Sequence, residues 1–135
     1  MTTLTEALAF VHTTLEASTL CKNVAVLEAI EYSFDQFRLR VRANLGSGIK
    51  FQAHLYYNRT HVDYAYQVFS KTALLRWDNK EEYPEISTFP HHHHNLDAEV
   101  VASPLSGNPE KDLRRVLEWI TRDWDQIHQA KKDAK

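Results

Sequence analysis

Two segments of alternating apolar and polar residues flank Gly46-Ser47-Gly48 and leave the middle of the chain few ways to fold. Such alternation is typical of a β-strand with one buried face, and a short glycine-containing connection predicts a hairpin. Folding at this turn sets apolar residues opposite apolar ones and polar residues opposite polar ones. The predicted pairs are Ala43 with Phe51, Val41 with Ala53 and Leu39 with Leu55 on one face, and Arg42 with Gln52, Arg40 with His54 and Arg38 with Tyr56 on the other.

The remaining segments predict an α+β fold, with an antiparallel β-sheet meander of about five or six strands packed by an N-terminal and a C-terminal helix. Thr3 and Glu6 form a capping box for the first helix, and Asn108 and Pro109 are typical of the start of the last one. Residues 98–102 predict a short strand. The predicted elements of a single domain over 1–135 are a helix over 3–22, antiparallel strands over 24–78, a histidine-rich loop region over 79–107 and a helix over 109–132.

Composition and charge exclude several classes of protein. The formal net charge of −2 argues against a chain whose main task is to coat nucleic acid, because that task needs a broad basic surface. Cys21 is the only cysteine, so no disulfide can form within the chain, as expected in a reducing cytosol. Glu6 and His12 interrupt the apolar run that a signal peptide needs, and no segment has the length of a membrane span. We therefore expect a cytoplasmic protein with no membrane partner.

Half of the eight histidines stand in one run, His91–His94, which we call the histidine run. The surrounding residues 78–99 carry six acids and a single lysine, Lys80. Neutral imidazoles and carboxylates are ligands for zinc, nickel, manganese and iron. Residues two apart in an extended segment point the same way, so His91 with His93, or His92 with His94, can converge on one ion. For a divalent metal ion as cofactor, the ligands we consider are His91, His93, His94 and Glu85.

The histidine run also fits a second chemistry. Cleavage of RNA without a metal needs a base for the 2′-hydroxyl, an acid for the leaving oxygen and a cation for the phosphorane. His92 or His94 could supply the proton transfers, with Arg76 and one arginine of the sheet as cations. The alternative is structural, with the rings packed on Trp77 or Phe89 or hydrogen-bonded to backbone.

Three arginines share the polar face of the predicted hairpin. Arg38, Arg40 and Arg42, which we call the arginine row, lie with His54 in a cationic strip that suits phosphates or an acidic partner segment. These four residues are the candidate substrate-binding residues. The alternative is the ordinary solvated face of an antiparallel sheet.

Three motifs between Leu74 and His94 follow a recognisable pattern: a strand that ends in an aromatic-Asp pair, a turn with proline, and a proline before a His-His-x-His cluster. The motifs are Arg76-Trp77-Asp78-Asn79, Pro84-Glu85 and Phe89-Pro90-His91-His92-His93-His94. This stretch resembles the TumE-type family of toxins of bacterial type II toxin–antitoxin systems. The resemblance covers about residues 24–120 and is specific over 74–94.

The resemblance implies a toxin whose partner is a small helix-turn-helix antitoxin. The positions it carries over are Arg76, Asp78, Pro90, His91, His92 and His94, whereas His93 replaces an expected basic residue. The candidate catalytic residues are therefore Arg76, Asp78, His91, His92 and His94. The slightly acidic net charge departs from the basic character usual for RNA-cleaving toxins.

Three hypotheses about function follow. The first is a cytosolic toxin that acts on RNA, with the histidine run as its active site and the arginine row as its substrate guide. The second is a non-catalytic metal-binding or protein-interaction module, and the third is a family member that keeps the fold without activity. Exposed tyrosines and Trp119 suggest a homodimer.

Overall fold

The computed structural model describes residues 2–134, which form a seven-stranded antiparallel sheet and three helices. The strands lie side by side in chain order, so the sheet is a meander. The elements are α1 (Leu4–Ala17), β1 (Lys22–Ser33), β2 (Gln36–Gly46), β3 (Ile49–Asn58), β4 (His61–Phe69), β5 (Ala73–Asp78), β6 (His92–His94), β7 (Val100–Ala102), α2 (Pro109–Arg122) and α3 (Trp124–Asp133). The predicted α+β class and antiparallel meander are confirmed, and the sheet has seven strands where about five or six were expected.

The hairpin of β2 and β3 has the register that the alternation predicts, with every predicted pair present. Its apolar face packs against Val11 and Leu15 of α1, Ile120 of α2 and Ile127 of α3 in a single core. Each fully buried side chain of this size contributes about 1.5–3 kcal/mol to stability. The opposite face of the sheet, which we call the open face, carries the polar residues of the alternation.

Both terminal helices are shorter than predicted. The capping box of Thr3 and Glu6 is present, but α1 ends at Ala17 because Ser18 adopts extended backbone angles and the chain enters β1 four residues later. The predicted helix over 109–132 begins as expected with Asn108 and Pro109 but is interrupted at Asp123, whose backbone angles (φ −99°, ψ 17°) are not helical. Short polar side chains such as aspartate are poor helix formers because they compete for backbone hydrogen bonds.

The region expected to be irregular, residues 79–107, contains two short strands. β6 is part of the histidine run itself and pairs with β5, and β7 pairs with β6 close to the short strand predicted at 98–102. The last three residues of the histidine run, His92–His94, are therefore part of the sheet. Their side chains alternate between the two faces of the sheet, as in any strand.

The buried carboxylate of Asp112 anchors the start of α2 and yields a stability prediction. Asp112 is fully buried and accepts hydrogen bonds from the backbone N–H groups of Ser106 and Gly107 and from the Ser106 hydroxyl. Asp112→Ala leaves these donors unpaired, so we expect the free energy of unfolding to fall by about 2–3 kcal/mol. Urea denaturation measures the change. Glu118→Ala, at an exposed position of the same helix, is the control, and an equal loss in both variants would contradict this role.

Candidate functional site

The candidate site is built from a row of residues that crosses the open face. The strand register sets Arg40 opposite His54, His54 opposite Ala65, Ala65 opposite Asp78, and Asp78 opposite His92. Directly opposed residues of neighbouring strands point to the same face. The cationic hairpin and the histidine run therefore share one surface, although they are far apart in sequence.

At one end of this row, four side chains form what we call the Asp78 cluster: Arg76, Asp78, His92 and His94. Arg76 Nε donates a 2.7 Å hydrogen bond to Asp78 Oδ2, and the backbone N–H of Lys80 donates to Asp78 Oδ1 at 3.0 Å. His94 Nε2 lies 3.8 Å from Asp78 Oδ2. Asp78 is thus a buried carboxylate at the centre of the group, with only 3% of the residue exposed.

The orientation of His92 is fixed by its backbone partner. Its Nδ1 lies 3.1 Å from the Pro90 carbonyl oxygen, which can only accept, so Nδ1 carries the hydrogen. Its Nε2 lies 3.0 Å from Asp78 Oδ1, yet the two groups are not aligned as a hydrogen bond. Within the part of the chain that the structure describes, this buried nitrogen has no hydrogen-bond partner. His92 therefore presents an unpaired ring nitrogen beside a carboxylate.

The loop before β6 covers part of the cluster. The Tyr83 ring contacts His92 and His94 edge-on, with ring centroids 4.7 Å and 5.9 Å away. His92 is almost fully enclosed, whereas the side chain of His94 is 33% exposed. Burial lowers the pKa of His94, and the nearby Asp78 carboxylate partly offsets that effect. His94 is thus the imidazole of the cluster that solvent can reach.

The structure does not place the other two histidines of the run in this cluster. His93 Nδ1 donates to the Arg76 carbonyl oxygen at 3.0 Å, and its ring stacks on Trp77 on the helix-covered face, as the structural alternative anticipated. His91 Nδ1 lies 2.8 Å from the hydroxyl of the core residue Tyr64, and the two rings are stacked. Burial lowers the pKa of both histidines.

Among the candidate catalytic residues, Arg76, Asp78, His92 and His94 come together and His91 does not. The expected metal ligands His91, His93, His94 and Glu85 are not assembled either, because a strand sends successive side chains to opposite faces and Glu85 lies exposed in the preceding loop. Among residues 2–134, the group that brings three ligand atoms together is Asp78, His92 and His94, whose ligand atoms lie within 4.8 Å of one another.

The arginine row lies on the open face as predicted, and parts of it have partners. Arg38 Nε forms a 2.7 Å ion pair with Glu28, and Arg42 donates two hydrogen bonds to the Gln52 side chain. Burial, followed by the Arg40 charge, lowers the pKa of His54. The row is therefore a cationic surface in which Arg38 alone is directly balanced by an acid.

A cavity of about 360 Å³ on this face is lined by His54 and Tyr56 of β3 and by Arg76 and Asp78 of the Asp78 cluster. Ala65 is the smallest side chain in the row and separates His54 from Asp78. Sequence reasoning missed Ala65 and Tyr83. The small residue is detectable only once the register of β4 and β5 is known, since the row then reads Arg, His, Ala, Asp, His.

His61 and Asp63, also overlooked, line the same cavity. His61 Nε2 lies 2.8 Å from Asp63 Oδ1, and both side chains are exposed. They add a second imidazole–carboxylate pair to this side of the sheet.

This geometry defines a class of protein: an α+β fold whose sheet has one face covered by helices and an Asp–His–Arg cluster on the opposite face. A family model described as "Toxin TumE" matches residues 12–124, and the chain belongs to that family. Neither the curated proteins nor the solved structures include a match. No helix within residues 2–134 has both the length and the apolar character needed to cross a membrane.

The lowered pKa of His54 predicts an acid-sensitive contribution to stability. Between that lowered value and 6.5, the unfolded chain binds a proton that the folded chain does not, so acidification through this window favours unfolding. His54→Gln removes the site, and we expect this variant to lose less stability than wild type between pH ~7.5 and pH ~5.5. Urea denaturation at both pH values measures the difference. Equal losses in the two proteins would contradict the prediction.

Proposed function

We propose that this chain is the toxin of a toxin–antitoxin pair and that it cleaves RNA in the cytoplasm, with its active site on the open face. Membership of the TumE toxin family supports the toxin role and an antitoxin partner. The observation that carries the proposed chemistry is one cavity that is lined by His54 on one side and by Arg76 and Asp78 of the Asp78 cluster on the other. We propose the helix-turn-helix class for the antitoxin on the resemblance alone.

The two sides of the cavity supply different parts of the reaction. Because His54 and Asp78 lie two strands apart, their backbones are separated by about 10 Å, which leaves room for a phosphodiester above Ala65. His54 Nε2 is buried and has no hydrogen-bond partner among residues 2–134. The lowered pKa of His54 favours the neutral ring, which is the form that a base for the 2′-hydroxyl requires. On the other side, Arg76 and the His94 imidazole stabilise the negative charge of the phosphorane, and the leaving 5′-oxygen takes its proton from water in the open cavity.

The flanking surface suits a single-stranded RNA. The arginine row offers guanidinium groups to phosphates, which bind RNA without reading its sequence. Tyr32 is 52% exposed and contacts Tyr56 of the open face edge-on, so aromatic rings are available for base stacking beside the row. A local surface of this kind explains how a chain with a net charge of −2 can hold RNA.

A second candidate function is a non-catalytic interaction module. The ion pair of Arg38 with Glu28 favours it, because it shows that a guanidinium of the arginine row can bind a carboxylate. In that case an acidic segment of a partner binds the row and RNA is not cleaved. A fold without activity, the third hypothesis, predicts neither event, and the suggested homodimer remains a prediction.

Loss of the Asp78 cluster should abolish toxicity. On induced expression, wild type is expected to stop growth and cleave RNA, whereas His94→Ala and Asp78→Asn are expected to lower the cleavage rate by about 100-fold or more. Growth curves and cleavage of a labelled RNA give the two readouts. His12→Ala, on α1 and remote from the open face, is the control. Toxicity retained in both cluster variants, or a wild type that leaves RNA intact, would refute the proposal.

The cavity itself can be tested without altering any ionisable group. Ala65→Leu places extra methyl groups between His54 and Asp78, so the phosphodiester can no longer approach both, and we expect cleavage to fall by about 100-fold. Ala17→Leu puts the same change at an exposed position at the end of α1, away from the open face, where it should have little effect. Cleavage assays with folded proteins make the comparison. Equal activity of the two variants would place the reaction elsewhere.

A further inference from the structure

We propose that Asp78, His92 and His94 form a binding site for one divalent transition-metal ion of the zinc class. The set expected from sequence was His91, His93, His94 and Glu85. The proposed set instead contains the two histidines on the open face, His92 and His94, and the Asp78 carboxylate of the neighbouring strand β5. The site itself is independent of whether the chain cleaves RNA.

The distances within the cluster fit coordination. Tetrahedral ligands at about 2.0–2.1 Å from a zinc ion are about 3.4 Å from one another. His92 Nε2 lies 3.0 Å from Asp78 Oδ1, and His94 Nε2 lies 3.8 Å from Asp78 Oδ2. These two separations bracket the expected value, and one ligand atom from each of the three residues lies within 4.8 Å of the other two.

The unpaired nitrogen of His92 is the strongest argument. Its Nδ1–H is donated to the Pro90 carbonyl, which leaves the lone pair of the neutral ring on Nε2, in a residue that is only 1% exposed. A buried lone pair beside a carboxylate is repelled by it and has lost its hydrogen bond to water. A cation between the two groups removes both penalties. A ligating histidine that donates its other ring N–H to a backbone carbonyl is also the usual outer-shell arrangement of metal sites.

A proton on Nε2 is the competing explanation, since an imidazolium would pair with Asp78 directly. Such an ion pair is strongest when the N–H points at the carboxylate oxygen. Here the two atoms are close, yet they are not aligned as a hydrogen bond. The observed geometry therefore lacks the direct hydrogen bond that a proton on Nε2 would be expected to make.

The ligands indicate the class of metal and the kind of site. Two imidazoles and one carboxylate suit zinc and its transition-metal neighbours, whereas magnesium and calcium prefer sets of oxygens. Three protein ligands leave at least one coordination position free, which is the arrangement of catalytic sites in contrast to closed structural ones. Because His94 is partly exposed, that position is reachable from the open face.

For the proposed function, the consequence is that the positive side of the cavity is a metal ion together with Arg76. Such an ion would bind a phosphate oxygen and stabilise its charge. This consequence depends on the proposed RNA cleavage, while metal binding does not.

The experiment uses full-length, untagged protein purified without nickel resin and stripped with a chelator. Titration with Zn²⁺, followed by calorimetry, is expected to show one equivalent bound. His92→Ala and His94→Ala should each weaken binding by at least ~100-fold, since even outer-shell changes cost 10–100-fold. Zn²⁺ should raise the thermal unfolding temperature of wild type and leave that of both variants unchanged. His91→Gln is the matched control, because its ring belongs to the same run and contacts Tyr64 on the other side of the sheet.

The outcomes separate this proposal from the proposed function. No Zn²⁺ binding by stripped wild type, or equal binding by wild type and the His94 variant, overturns the metal site. The partly exposed His94 keeps the test valid even if the buried His92→Ala variant fails to fold. RNA cleavage by metal-free protein would refute the metal as part of the active site while leaving the proposed function intact. Stoichiometric Zn²⁺ binding without RNA cleavage would refute the proposed function and leave the metal site intact.

Discussion

The alternation of side chains along a β-strand is the constraint on which the site depends. Neighbouring residues of a strand point to opposite faces, so β5 sends Arg76 and Asp78 together to the open face. β6 is paired with β5 in antiparallel register and therefore sends His92 and His94 to that face and His93 to the core. The same rule puts the arginine row of β2 on the open face, three strands away from β5. One geometric rule thus gathers the polar groups without any dedicated loop.

The sequence was sufficient for the hairpin of β2 and β3 because its information is local. A turn of two glycines and a serine sets the register, and any slip by one residue would bury the arginine row. The helix starts were also predictable, since Thr3 and Asn108 act on backbone groups within their own first turn. The break at Asp123 was not, because a strong apolar stripe continues across it to Ile127.

The site was predictable in its composition but not in its geometry. Four identical residues contain no alternation, so the histidine run gives no sign of which ring faces the core. The deciding interaction is the pairing of β6 with β5, in which a three-residue strand follows a long connection. Long-range pairing of so short a strand has no local signature. For that reason the sequence left two pairs open, His91 with His93 and His92 with His94, and the expected metal ligands omitted His92, which the structure puts beside His94.

The Asp78 cluster lowers the stability of the fold, and this loss of stability indicates a function. A buried carboxylate requires compensation, and Asp78 receives it from Arg76 and from the Lys80 backbone N–H. The unpaired Nε2 of His92 beside it is a liability of about 1–3 kcal/mol. An apolar side chain of similar size would remove that cost without leaving a cavity. Unsatisfied polar groups are expected at functional sites, and the proposed metal ion would be the partner that this nitrogen lacks.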